Sequence, residues 1–133
     1  MKPVWQLIQL PVFFDSRGNV SVIEALDDFP FEIARCHWIY DVPGGGARDG
    51  HAFRRNTELI IALSGSFDIF LDNGIHHQTL SLNRSYTAVL VPPGVWRELT
   101  NFSTNAVALI LSSIAYDPED YISDYDAFST LRR

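Results

Sequence analysis

Apolar and polar residues alternate with a period of two in short runs, each closed by turn-forming residues, from Trp5 to Ser112. Trp5 to Leu10 alternates and meets Pro11, which has no N–H for a ladder, so it predicts an edge strand. A turn at Asp15-Ser16-Arg17-Gly18-Asn19 precedes a β-rich run, Val20 to Glu24, and Asp27, Asp28 and Pro30 break the chain again. Ile33 to Val42 reads as the next strand, with Arg35, His37 and Ile39 on one face and Cys36, Trp38 and Tyr40 on the other. Pro43 to Gly46 forms a turn. Glu58 to Leu63 and Ser66 to Leu71 are strands joined at Ser64-Gly65, and Asp72-Asn73-Gly74 is a hairpin signal. Gln78 to Leu82, Ala88 to Val91 and Arg97 to Thr100 continue the series, with Pro92-Pro93-Gly94 as a tight turn. Ala106 to Ser112 is nearly continuous in apolar residues, as a buried strand is.

Strands thus recur every 8 to 12 residues, and no helical period occurs before residue 117. The pattern predicts an all-β antiparallel sandwich or barrel. From Asp117 the pattern changes: Asp117 suits a cap, Pro118 the first helical position, Glu119 and Asp120 the positive helix end, and Ile122, Tyr125 and Phe128 recur at helical spacing. A short C-terminal helix laid on the barrel is expected. With no linker, repeat or low-complexity segment, residues 1–133 read as one domain.

Composition narrows the function classes. The chain has 133 residues, of which 47% are hydrophobic and 13% aromatic, enough for a core without staples. The single Cys36 makes no internal disulfide and reads as a small core residue. No apolar run reaches membrane-spanning length and no cleavable leader is evident, so the cytoplasm is the expected compartment. A net charge of −6, with no basic run longer than a pair, argues against nucleic acid and anionic membranes as partners. Nine of the ten basic residues are arginine, whose guanidinium grips phosphate or carboxylate with two parallel bonds. This points to an anionic small-molecule ligand, or else to solvent-facing arginines.

Gly45, His51, Phe53, Glu58 and Gly65 fall on the spacing of the first cupin motif, with Phe53 where the second histidine belongs. Tyr86, Pro92, Gly94, Arg97 and Asn101 sit at the offsets of the second motif, with Tyr86 at its glycine position and Arg97 at its histidine position. The resemblance implies a cupin jelly-roll barrel. Metal-binding cupins take three histidines and the glutamate from these positions; this chain keeps His51 and Glu58 and sets a permanent cation at Arg97. Two ligands beside a guanidinium predict a barrel without a metal.

Longer phrases resemble one group in particular. RGNVSVIE (17–24), YDVPGG (40–45), GHA (50–52), IIALSGSFDIFLDNG (60–74), VPPGVWRELTNFS (91–103) and YDPEDYISDYDAF (116–128) are similar to the dTDP-4-keto-6-deoxyhexose 3,4-ketoisomerases of the FdtA, QdtA and WxcM-like group. The resemblance implies a small homodimeric jelly roll without a cofactor. It would bind a thymidine diphosphate sugar in the barrel mouth and move a ketone from C4 to C3, in the making of deoxysugars for surface polysaccharides. Where that group has GGHAHK, this chain has DGHAFR: Asp49 replaces a glycine, Phe53 the second histidine and Arg54 a lysine, and Glu58 stands where glutamine is common.

A 3,4-ketoisomerisation needs a base for the C3 proton and an acid for C4, roles that imidazole fills near neutral pH. His51 is the first candidate for the base. Glu58 is a catalytic candidate that orients His51, bonds a sugar hydroxyl or accepts a proton, or else pairs with Arg54 or Arg97. Tyr40 is a candidate donor to the keto oxygen, or a core tyrosine. Arg17, Arg48 and Arg97 are candidates for the diphosphate or sugar oxygens, Trp96 for stacking on a base or sugar, and Phe53 for lining the pocket. His37, an outlier among apolar neighbours, is a weaker stand-in for the missing histidine; His76 and His77 belong to a solvated hairpin tip. The chain is therefore expected to be an active isomerase relying on His51. The alternative is a degenerate nucleotide-sugar-binding module, or a partner subunit of an intact isomerase. Phe53 separates the two.

Overall fold

The computed structural model describes residues 3–24 and 31–132; the predicted break at Asp27, Asp28 and Pro30 lies outside them. Two five-stranded antiparallel sheets face each other. The first runs, in spatial order, β1 (Gln6–Gln9), β9 (Thr87–Val91), β6 (Glu58–Ser64), β11 (Val107–Ser112) and β4 (Arg35–Ile39). The second runs β12 (Tyr121–Ile122), β5 (Arg48–Phe53), β10 (Trp96–Thr100), β7 (Phe67–Asp72) and β8 (His77–Leu82). A small ribbon of β2 (Val12–Phe13) and β3 (Val20–Ser21) stands apart from both. The predicted edge strand is β1, at the margin of the first sheet, where Pro11 costs no ladder bond. Gly65 takes the positive φ of 66° that the β6–β7 turn requires.

The core lies between the sheets. Ile60 and Ala62 on β6, Ile110 and Ala108 on β11, Ile69 and Leu71 on β7, and Leu99 on β10 are buried there together. This inner face fixes the sidedness of β4. Its inner residues Arg35, His37 and Ile39 pair in register with Ser112, Ile110 and Ala108 of β11. The aromatic face of β4 therefore points outward, with Trp38 58% and Tyr40 60% exposed, and Cys36 is exposed rather than a core residue.

The C-terminal segment departs from the expected helix. Asp117 does cap a turn, accepting from the Glu119 N–H, and Pro118 follows it, but only a 3-10 turn forms over Pro118–Asp120. The chain then extends as β12, with Tyr121 and Ile122 paired to Phe53 and Ala52 of β5. The helix α1 begins only at Tyr125 and runs to Arg132. Satisfying the β5 edge outweighs continuing the helix. Asp120, which would have favoured a helix start, turns inward. Its carboxylate accepts the N–H groups of Arg55 at 2.9 Å and Asn56 at 3.0 Å, and its carbonyl accepts from Arg54. Asn56, also buried, accepts from the Ser113 N–H at 3.0 Å, so the β5–β6 loop is fixed on two sides.

Candidate active site

The spacing that suggested a ligand set places its residues on facing walls of the barrel. His51 on β5 pairs in register with Arg97 on β10 in the second sheet, and Glu58 opens β6 in the first. Arg97 Nε donates to Glu58 Oε1 at 2.9 Å and Nη2 to Oε2 at 3.0 Å, with both side chains nearly fully buried. The pair is a bidentate bridge between the two sheets, and it commits both carboxylate oxygens. Of the two partners expected for Glu58, it is Arg97 that it meets. Among the described residues, no three of His, Cys, Asp and Glu come together in a group able to hold a metal ion.

His51 stands beside this bridge. Its ring contacts Phe53 at 4.8 Å and Tyr121 at 4.9 Å between centroids, and Phe53 and Tyr121 meet at 4.6 Å, so three rings close on one another. Phe53 is 5% exposed, and the void it lines with Tyr121, Arg35 and Tyr116 is only about 10 Å³, no more than one water. His51 Nε2 is buried with no hydrogen-bond partner. Burial, reinforced by the charges of Arg97 and His37, lowers the His51 imidazole to about 3, so it is neutral at cellular pH.

His37 also faces the interior, one ladder step from Arg35, and its Nδ1 is buried and unpartnered. Burial first, then the Arg35 charge, lowers its titration; Glu58 opposes and Arg97 adds to the depression. At the mouth, the Arg35 guanidinium lies 5.1 Å above the Tyr116 ring, and Tyr116 meets Tyr121 at 5.9 Å. His37, Arg35, Tyr116 and Tyr121 were missed or ranked low in the sequence. His37 carried a signal as an outlier among apolar neighbours, and the tail phrase carried one for Tyr116 and Tyr121; nothing marked Arg35.

The other sequence candidates are not brought to this place. Tyr40 is on the outer face because β4 turns its Arg35-His37-Ile39 side inward. Trp96 alternates away from Arg97, to the outer face of the second sheet under α1. There it meets Tyr125 at 5.2 Å and Phe128 at 5.7 Å and donates to Glu98 at 2.9 Å. Gly50 lets it lie against β5, since a Cβ there would stand 2.8 Å from the indole. Arg17 is 88% exposed and bound to Asp15 within its own turn, and Arg48 is exposed. His76 and His77 are exposed at the β7–β8 hairpin, as expected.

The interior is thus an apolar barrel with a satisfied ion pair and two neutral imidazoles, each with one unpartnered ring nitrogen. Comparison with known proteins agrees in fold and class. The family model described as FdtA: WxcM-like, C-terminal matches residues 4–133. A TDP-4-oxo-6-deoxy-alpha-D-glucose-3,4-oxoisomerase of Aneurinibacillus thermoaerophilus is 35% identical over 123 residues, 92% of this chain and 88% of that protein. Among solved structures, the WlaRB TDP-quinovose 3,4-ketoisomerase of Campylobacter jejuni superposes with a TM-score of 0.89 at 34% identity, covering 95% of this chain and 97% of that one. A variant of the 3,4-ketoisomerase QdtA of Thermoanaerobacterium thermosaccharolyticum, in complex with TDP-4-keto-6-deoxyglucose, superposes at 0.92 with 30% identity, covering 96% and 93%.

Proposed function

The chain belongs to the FdtA family of WxcM-like proteins, and from that premise we propose that it is a cupin-fold sugar 3,4-ketoisomerase acting on a TDP-4-keto-6-deoxyhexose. His51 is the group that takes the C3 proton. The observation that carries this role is its buried, unpartnered Nε2 in an interior where the Glu58–Arg97 ion pair is fully satisfied. An imidazole depressed to about 3 enters the reaction neutral, a weaker base than a free imidazole, and the cation it becomes gives its proton up readily. Removing the C3 proton leaves an enediolate at O4; protonation there gives the enediol, and loss of the O3 proton with protonation at C4 leaves the ketone at C3. Glu58 and Arg97 act as a fixed pair. Their bridge sets the separation of the two walls, and the Arg97 charge helps to keep His51 neutral.

The nucleotide diphosphate is read as lying at the mouth, where the Arg35 guanidinium lies over the Tyr116 ring. Homodimerisation is supported by the exposed Trp38, Tyr40 and Leu63, which border a groove of about 530 Å³ on the outer face of the first sheet. An exposed, unpaired thiol at Cys36 suits a reducing compartment such as the cytoplasm, where sugar nucleotides are made for surface polysaccharide.

The test is to incubate the purified protein with TDP-4-keto-6-deoxyglucose and follow the 3-keto product by NMR. Turnover that falls by about 10²–10⁴ in His51→Asn supports the reading. Tight TDP-sugar binding without turnover in the native chain would instead favour a binding module, which the close packing of Phe53 on His51 would explain.

A further inference from the structure

We propose that His37 supplies the second proton-transfer group of this barrel, on the wall opposite His51, in place of the imidazole that Phe53 lacks. The proposal rests on the isomerase reading above. Among the described residues, the buried side-chain polar atoms left without a hydrogen-bond partner are His37 Nδ1 and His51 Nε2. Such atoms are uncommon, because each costs free energy in the folded chain, so two in one interior call for an explanation. They lie on facing sheets: His37 on β4 at the edge of the first, His51 on β5 beside the edge strand of the second. His37 points inward in register with buried Ile110, and it is close enough to His51 that a proton on one disfavours a proton on the other.

Two neutral imidazoles complete the reaction without any other acid or base. His51 takes the proton from C3 and, as imidazolium, gives it to O4, forming the enediol. His37 takes the proton from O3 and gives it to C4, leaving the carbonyl at C3. Two protons have moved, C3 to O4 and O3 to C4, and both histidines end neutral as they began. Phenylalanine at 53 can do neither transfer, whereas a histidine on the facing wall reaches the sugar from the other side.

The step separates from His51 in a deuterium experiment. In D2O with TDP-4-keto-6-deoxyglucose, loss of the C3 proton reports the first transfer and 3-keto product reports the second. His37→Asn and His37→Gln each keep a hydrogen-bonding amide near one ring nitrogen but cannot pass a proton. Both are expected to retain C3 exchange within about threefold of the native chain while product formation falls by about 10²-fold or more. Product formation at the native rate in either variant would overturn the assignment. So would equal loss of exchange and product in variants that still bind TDP, since that marks a positioning role. Absence of both exchange and product in the native chain would sink the isomerase reading itself, an outcome distinct from either of these.

Discussion

Acid should weaken this fold through His51, and the size of the effect follows from its environment. In the unfolded chain its imidazole binds a proton near 6.5; in the folded chain burial, the Arg97 charge and His37 lower this to about 3. Between those values the unfolded chain holds a proton that the folded chain refuses, so stability falls as pH drops from 6.5 toward 3, by about 1.4 kcal/mol per pH unit. At pH 4 the loss is about 3 kcal/mol, a large share of the 5–15 kcal/mol typical of a folded domain. His37 is depressed in the same direction and adds to it. Urea unfolding followed by tryptophan fluorescence at pH 7 and pH 4, for the native chain and His51→Asn, isolates the effect. The variant should lose about 3 kcal/mol less than the native chain over that interval. Parallel pH dependence in the two proteins would refute the burial argument, whatever the absolute stabilities.

Two further outcomes test the framework around the site. Glu58→Gln leaves Arg97 buried beside a neutral partner and should cost about 3–5 kcal/mol in urea, whereas Glu58→Leu combined with Arg97→Met should recover most of that loss. Asp120→Ala strips the acceptor from the Arg55 and Asn56 N–H groups, and a stability loss of about 2–4 kcal/mol is expected, with faster hydrogen exchange at those two amides.

The strands were legible because their period is local. Glu58–Leu63, Ser66–Leu71 and Gln78–Leu82 were read within a residue of β6, β7 and β8, since alternation and the turn residues between them act over a few positions. Sidedness was not. The alternation on β4 was read correctly, yet nothing local says which face is inner. Its aromatic Trp38 and Tyr40 look the more core-like, and the pairing with β11, seventy residues on, decides against them. That one choice removed Tyr40 from the site and put His37 into it. The same long-range logic turned Trp96 outward while Arg97 went in, and made a strand of Tyr121–Ile122 where the local signals favoured a helix. Glu58 and Arg97 were recognised from motif spacing, but their mutual bridge depends on how far apart the sheets stand, which no spacing records.

The pairing of β12 with β5 bears on how the polypeptide matures. The strand carrying His51 has β10 on one side and Tyr121–Ile122 on the other, and the loop after it hangs on Asp120. All of β1 to β11 leaves the ribosome before that segment does. Until it arrives, β5 is an open edge, able to pair with any neighbouring extended chain. The barrel is therefore most prone to clump until residues 121–122 have emerged and docked, and the histidine strand is the last part of the second sheet to be sealed.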